Sequence, residues 1–337
     1  MTDTPVSTDN PSLHEVIDVS SRILDAVEQA VVGKRAGLEL VLAGVLAGGH
    51  ILMEDFPGLG KTLAARSFAQ ALGLDFARAQ FTPDLLPSDL TGAFIYDQRT
   101  REFVFRQGPL FTEILLADEI NRTPPKTQSA LLEAMQEGQI TVEGETFGLQ
   151  QPFHVLATAN PVEYEGTYPL PEAQLDRFLL RVSFGYPTGD EEWEVLRRRV
   201  ERQRETQTVP TVTDAAGLLA LQRAVETVTL DESVGRYCVR LASATRSHPS
   251  LVLGASPRGS LALMLASRAY AVIRRRDYVT PEDVKAVAHA ALDHRVTVRP
   301  ELWINDVTAE SVIGSILASV PTPSPTEGER RTGYERP

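Results

Sequence analysis

The sequence predicts an α/β domain followed by a smaller all-α domain, and three observations carry that expectation. Between about residue 30 and residue 186, short apolar runs alternate with helical patterns. From about Asp190 onward only helical periodicity remains. Between a strand-like run and a helical one stands a glycine-rich loop, Asp55 to Thr62, that ends in Lys-Thr. Continuously apolar strands alternating with helices are the signature of a parallel sheet covered on both faces. The length agrees: one core rarely stays efficient much beyond ~250 residues, and this chain has 337. The expected division is a tail over 1–12, an α/β domain over 13–186, a helical domain over 187–320 and a second tail over 321–337. Both tails are rich in Pro, Thr and Ser or in charge, with few residues to anchor packing.

In chain order, His50–Glu54, Phe76–Phe81, Glu113–Ala117, His154–Thr158 and Leu179–Phe184 read as short buried strands. Ala64–Leu72 and Lys126–Glu137 read as helices between them, with Gly138 placed to cap the second. Two β-prone pairs interrupt the pattern. Ala93–Tyr96 with Glu102–Phe105, and Gln139–Val142 with Thr146–Leu149, each flank a turn and predict hairpins inserted on a common core. The helical part has candidates at Glu191–Arg204, Ala215–Val225, Asp231–Ser247, Pro257–Arg275, Pro281–Asp293 and Thr308–Ala318. Ser256 before Pro257, and Thr280 before Pro281-Glu-Asp283, are N-cap signals with Pro at the first helical position.

The composition is that of a water-soluble globular chain, 42% hydrophobic and 23% charged. With 33 Lys+Arg against 45 Asp+Glu, the net charge of −12 argues against a face that wraps duplex nucleic acid. The lone Cys238 excludes an intrachain disulfide and a Cys-rich metal site. The N-terminus has no basic residue before Arg22 and no apolar h-region. The apolar stretch Leu38–Met53 is too short and too interrupted to span a bilayer. A reduced, cytoplasmic protein is therefore expected. Trp193 and Trp303 are expected to pack between helices.

The chemistry concentrates in three strand ends. In Asp55-Phe56-Pro57-Gly58-Leu59-Gly60-Lys61-Thr62-Leu63, backbone N–H groups and a helix N-terminus can wrap phosphates. Lys61 would neutralise charge and Thr62 would offer its hydroxyl to Mg²⁺. The usual loop begins with Gly, and here Asp55 stands at that position. Ile114-Leu-Leu-Ala-Asp118-Glu119 presents two carboxylates at the C-terminal end of a central strand, where doubly wound sheets bind ligands. Asp118 can hold Mg²⁺ through water, and Glu119 can orient or deprotonate a water attacking a γ-phosphate. His154-Val-Leu-Ala-Thr-Ala-Asn160 ends in an amide that could position that water, or simply cap an Asn-Pro turn. Arg177 precedes a strand and Arg258 opens a helix. Either could neutralise transition-state charge, or serve as an ordinary ion pair.

Together these strings resemble an AAA+ ATPase of the MoxR family, over nearly the whole chain between the tails. The resemblance rests on Val31-Val32-Gly33-Lys34, the Glu54–Thr62 loop, Gln80-Phe-Thr-Pro-Asp-Leu-Leu-Pro-Ser-Asp-Leu-Thr-Gly92, Phe105–Phe111, Ala117–Arg122, Pro171–Phe178 and Gly254–Arg258. It implies an AAA+ P-loop core with a helix-2 insert and a pre-sensor-1 hairpin, followed by an α-helical lid. It further implies that Val32 and Gly33 lie beside the adenine, that Lys61 and Thr62 belong to Walker A, and that Asp118 and Glu119 form Walker B. Asn160 would be sensor 1 and Arg258 sensor 2. Arg177 is the best candidate for a finger reaching a neighbouring subunit's nucleotide, with Arg122 and Arg181 as alternatives. The cofactors implied are ATP and Mg²⁺. The implied assembly is a ring, usually a hexamer, that remodels or activates client complexes, often with a partner carrying a von Willebrand A domain. A magnesium-chelatase-like motor shares every one of these parts. A nucleic-acid motor is permitted by the inserts and disfavoured by the charge. A scaffold that uses nucleotide only to assemble is disfavoured by the intact Asp118–Glu119 pair.

Overall fold

The computed structural model describes residues 11–160, 167–203 and 207–323. The chain opens with α1 (Leu13–Glu28), started by Ser12, whose side chain and backbone exchange hydrogen bonds with Glu15. Then come α2 (Arg35–Leu46), β1 (Ile51–Glu54), α3 (Lys61–Leu72), β2 (Phe76–Gln80), α4 (Pro87–Thr91), β3 (Gly92–Asp97), β4 (Glu102–Gln107) and β5 (Ile114–Asp118). The core continues through α5 (Pro125–Glu137), β6 (Gln139–Val142), β7 (Glu145–Gly148), β8 (His154–Ala159), α6 (Glu172–Leu175) and β9 (Leu180–Val182). The helical part holds α7 (Gly189–Arg202), α8 (Ala215–Val225), α9 (Glu232–Arg246), β10 (Leu251–Leu253), α10 (Pro257–Ile273), α11 (Pro281–Leu292), β11 (Thr297–Val298) and α12 (Ala309–Ser319). The expected tails fall mostly on 1–10 and 324–337, outside the described residues.

The five predicted strands form one parallel sheet in the order β2-β5-β8-β1-β9. β5 and β8 are buried along their whole length, so they are central and read as unbroken apolar runs. β1 lies between β8 and β9, and the chain reverses direction across the sheet there. The C-terminal ends of β1, β5 and β8 therefore meet along one edge, beside a topological switch point. The two hairpins form separate antiparallel ribbons, β3–β4 and β6–β7. They lock together through Phe105 stacked on Phe147 at 4.2 Å and 11°.

Three features depart from the sequence reading. α1 and α2 were not foreseen. α2 is buried on nearly every side, so it shows little amphipathic contrast, and its end merges into the apolar run of β1. The helical part is not purely helical, since β10 and β11 pair as a short antiparallel ribbon. Trp193 and Trp303 do not pack between helices; they are 64% and 63% exposed.

One hydrophobic core runs from the sheet through α1, α2 and α3 into α8–α12, while a second fills the opposite face beneath α5 and the hairpins. The wholly buried Leu38, Leu116, Leu156 and Phe68 belong to the first. Truncating one such side chain to Ala costs about 2–5 kcal/mol. α2 is pinned from the helical side as well: its buried Glu39 accepts from Arg274 at 2.9 Å.

Candidate active site

Residues Pro57–Leu63, Asp118, Glu119, Thr158, Ala159 and Asn160 line one cleft of about 380 Å³ at the C-terminal edge of the sheet. Three sequence segments expected to share chemistry are thus brought together. Gly60 sits at φ +86° and caps α3, and Gly58 sits at φ +83°. A Cβ built on either glycine would meet no protein atom within 4 Å. The loop is therefore an open cradle with the unpaired N–H groups of the α3 N-terminus behind it. Lys61 Nζ donates to the carbonyls of Asp55 and Phe56. Partial burial lowers its pKa, while Asp55, Asp118, Glu119 and Glu54 pull it back up. Thr62 and Asp118 both line the cleft and offer hard oxygens, the donor chemistry that suits Mg²⁺.

The Asp118–Glu119 pair is held in detail. Thr158 Oγ1 donates to Asp118 Oδ1 at 2.6 Å and accepts from the Glu119 N–H at 2.8 Å. Arg78 on β2 donates to Asp118 Oδ2 at 2.6 Å through Nη2. Gln80 Nε2 donates to Glu119 Oε2 at 2.8 Å, and Arg122 lies 3.3 Å from the same oxygen. Glu119 itself has left-handed backbone, φ 60° and ψ 50°. A non-glycine residue held there costs on the order of 1 kcal/mol, a strain that clusters at functional sites. Asn160 is buried at the end of β8, and its carbonyl accepts from Asn121 Nδ2 at 3.3 Å.

Asp55 explains the missing first glycine of the loop. Its buried carboxylate faces away from the cleft, toward the segment that leaves β9 for α7. Oδ2 accepts from the backbone N–H groups of Phe184 and of Gly185 (3.2 Å), and Ser183 Oγ donates to Oδ1 at 3.1 Å. Lys34 Nζ donates to the Gly185 carbonyl at 2.8 Å, and the Phe56 and Tyr186 rings lie 5.6 Å apart. Val32 and Gly33 adjoin this region; a Cβ on Gly33 would strike the Glu191 carboxyl of α7 at 2.2 Å.

Arg177 and Arg258 are not brought to the cleft. Arg258 is exposed at the start of α10, where Ser256 accepts from its N–H. Asp176 holds that region to the core: Ser256 Oγ donates to Asp176 Oδ2 at 2.9 Å, and Arg295 Nε donates to Oδ1 at 2.8 Å. Arg295 is almost wholly buried and also donates to the carbonyls of Phe178 and Leu179. Burial lowers its pKa, and Asp176 opposes that shift. Arg181 is engaged internally, 2.9 Å from Glu54. No ion pair among the described residues involves Arg177.

Sequence reasoning missed Arg78, Gln80, Thr158, Ser183, Asp176 and Arg295 as supports of the site. Only the alternation of polar with apolar residues in Phe76–Gln80 and in Ala157–Asn160 hinted at the first three.

A phosphate cradle at a helix N-terminus, a carboxylate pair on the adjacent central strand and a helical domain packed behind define an ATPase of the AAA class. Comparison with known proteins agrees. Residues 50–180 match the ATPase family associated with various cellular activities, and residues 243–316 match an AAA lid domain. The chain is 50% identical to the uncharacterized protein YeaC of Bacillus subtilis, over 90% of this chain and 94% of that one. It is 42% identical to the chaperone MoxR1 of Mycobacterium tuberculosis, over 90% of this chain and 82% of the relative. A solved structure of a candidate ATPase from Cytophaga hutchinsonii superposes with a TM-score of 0.86 at 40% identity, covering 93% and 97% of the two chains. The chain belongs to the MoxR family of AAA+ ATPases.

Proposed function

We propose that this protein hydrolyses ATP with Mg²⁺ and uses the energy, as a ring and most simply a hexamer, to remodel or activate client protein complexes. The observation that carries the reading is the convergence of the Pro57–Leu63 stretch of the loop, the Asp118–Glu119 pair and Asn160 on one cleft, while Arg177 and Arg258 lie outside it. Lys61 and the loop N–H groups bind the phosphates. Val32, Gly33 and Phe56 stand on the base side. Thr62 and Asp118 hold Mg²⁺, which when bound shields the phosphate charge. Glu119 orients and deprotonates the attacking water, and Asn160 positions it. Arg177 and Arg258 serve the nucleotide of a neighbouring copy, which makes hydrolysis depend on assembly. The engagement of Arg181 with Glu54, and of Arg122 with Glu119, supports Arg177 as the finger. The name of the MoxR1 relative supports a chaperone role.

A partner with a von Willebrand A domain belongs to the same proposal, as does a cytoplasmic setting. No helix among the described residues is long and apolar enough to cross a membrane. A chelatase-like motor differs only in its client.

Mixing two variants tests the reading. Lys61→Ala should lose nucleotide binding. Glu119→Gln and Arg177→Ala should each bind ATP and fail to turn it over. If Arg177 acts across a subunit boundary, mixed rings of these last two should regain part of the activity. No recovery in rings shown to be mixed would mean that Arg177 works within its own subunit or not at all.

A further inference from the structure

Arg78 stands on β2, and nothing in the phosphate loop requires it. Its guanidinium approaches a single oxygen twice: Nη2 lies 2.6 Å and Nε 3.1 Å from Asp118 Oδ2. The same Nη2 donates to Gln80 Oε1 at 2.8 Å, and Gln80 Nε2 passes the contact on to Glu119 Oε2 at 2.8 Å. The remaining Asp118 oxygen accepts from Thr158 at 2.6 Å. Both oxygens of Asp118 are thus engaged by the protein itself.

A Mg²⁺ ion held through Asp118, directly or through water, needs one of these oxygens. It also repels a guanidinium at contact distance. The two holders differ in how easily they yield. Thr158 is 1% exposed and fixed in a central strand. The Arg78 side chain is 50% exposed and can swing into solvent at little cost. Arg78 is the group that gives way.

We propose that Arg78 is a positioning residue acting as the site's own counter-cation, which holds Asp118, and through Gln80 also Glu119, until Mg²⁺ displaces it. The inference rests on the nucleotide-site reading above. Metal entry and release of the two carboxylates then form one linked event, because the amide that restrains Glu119 is itself held by Arg78. By reciprocity, whatever weakens the Arg78 contact strengthens metal binding.

The test uses the full chain stripped of nucleotide. Affinity for a fluorescent N-methylanthraniloyl-ADP is measured against free Mg²⁺, for the parent and for Arg78→Gln and Arg78→Lys. The Mg²⁺ midpoint should fall about five- to tenfold in Arg78→Gln and by less in Arg78→Lys, which keeps the charge without the two-nitrogen contact. An unchanged or raised midpoint overturns the inference. Nucleotide binding in the parent that does not depend on Mg²⁺ also overturns it, whereas a parent that binds no nucleotide at all means that the nucleotide-site reading fails instead. Thermal melting gives a second readout independent of turnover. Arg78→Gln should melt below the parent without ligand, and the gap should close at saturating Mg²⁺ and ADP. A gap that persists would make Arg78 an ordinary structural ion pair.

Discussion

Replacing Asp55 with Gly restores the residue that a phosphate loop usually carries at that position, so the loop backbone should accept it. What is lost is the tether to the segment after β9. Three donors converge on the buried carboxylate: the N–H groups of Phe184 and Gly185 and the hydroxyl of Ser183. Hydrogen bonds to a charged group each contribute about 1.5–3 kcal/mol net. The three share one carboxylate and border a half-buried strand end, so they will not add in full. A loss of about 3 kcal/mol is expected, or roughly 4–5 °C in melting temperature for a chain of this size. Asp55→Asn keeps one acceptor oxygen and should fall between parent and Gly. The start of the loop would also lose its fixed position against the path to α7, so ADP affinity should weaken about three- to tenfold through lost preorganisation. Thermal melts with and without ADP, together with a calorimetric ADP titration, measure both effects. A Gly variant that melts within 1 °C or so of the parent and binds ADP equally well would refute the tether.

Asp176→Asn should destabilise by about 3 kcal/mol in denaturant unfolding, because Arg295 is left buried beside a neutral partner; an effect near zero would mean that the carbonyls of Phe178 and Leu179 suffice. His50 is half-buried and held neutral, its pKa lowered to about 4 chiefly by desolvation and then by His154, against the opposing bond to the Met135 carbonyl. The unfolded chain takes up that proton near pH 6.5 and the folded one near 4. The stability His50 confers is therefore present above pH 6.5 and lost as pH falls toward 4, by up to about 3 kcal/mol. A melting temperature in His50→Gln with the same acid slope as the parent would contradict this. Cys238 has its thiol pushed up to about 12 by burial, so a thiol reagent at neutral pH should label it only when the chain is unfolded.

The phosphate loop, the carboxylate pair and Asn160 were legible because each is a local string at a strand end. Backbone direction and apolar run length are written in neighbouring residues, and so are the N-caps at Ser256 and Thr280, which the structure bears out. α2 was not legible because a helix buried on nearly every side has little polar face to mark its period. The exposure of Trp193 and Trp303 was equally hidden, since a sequence does not say which face of a helix a neighbour will cover.

By itself the sequence determined the parallel-sheet core, its five strands, the two inserted hairpins and the groups available for phosphate chemistry. Only the tertiary structure decided what holds those groups. Arg78 reaches Asp118 across 40 residues, Asp55 reaches Ser183 across 128, and Asp176 reaches Arg295 across 119. It also decided that Arg177 and Arg258 stand outside the cleft of their own chain. Hydrophobic patterning acts over a few residues and sets the elements, whereas a hydrogen bond or ion pair forms only once packing has brought distant segments within about 3 Å.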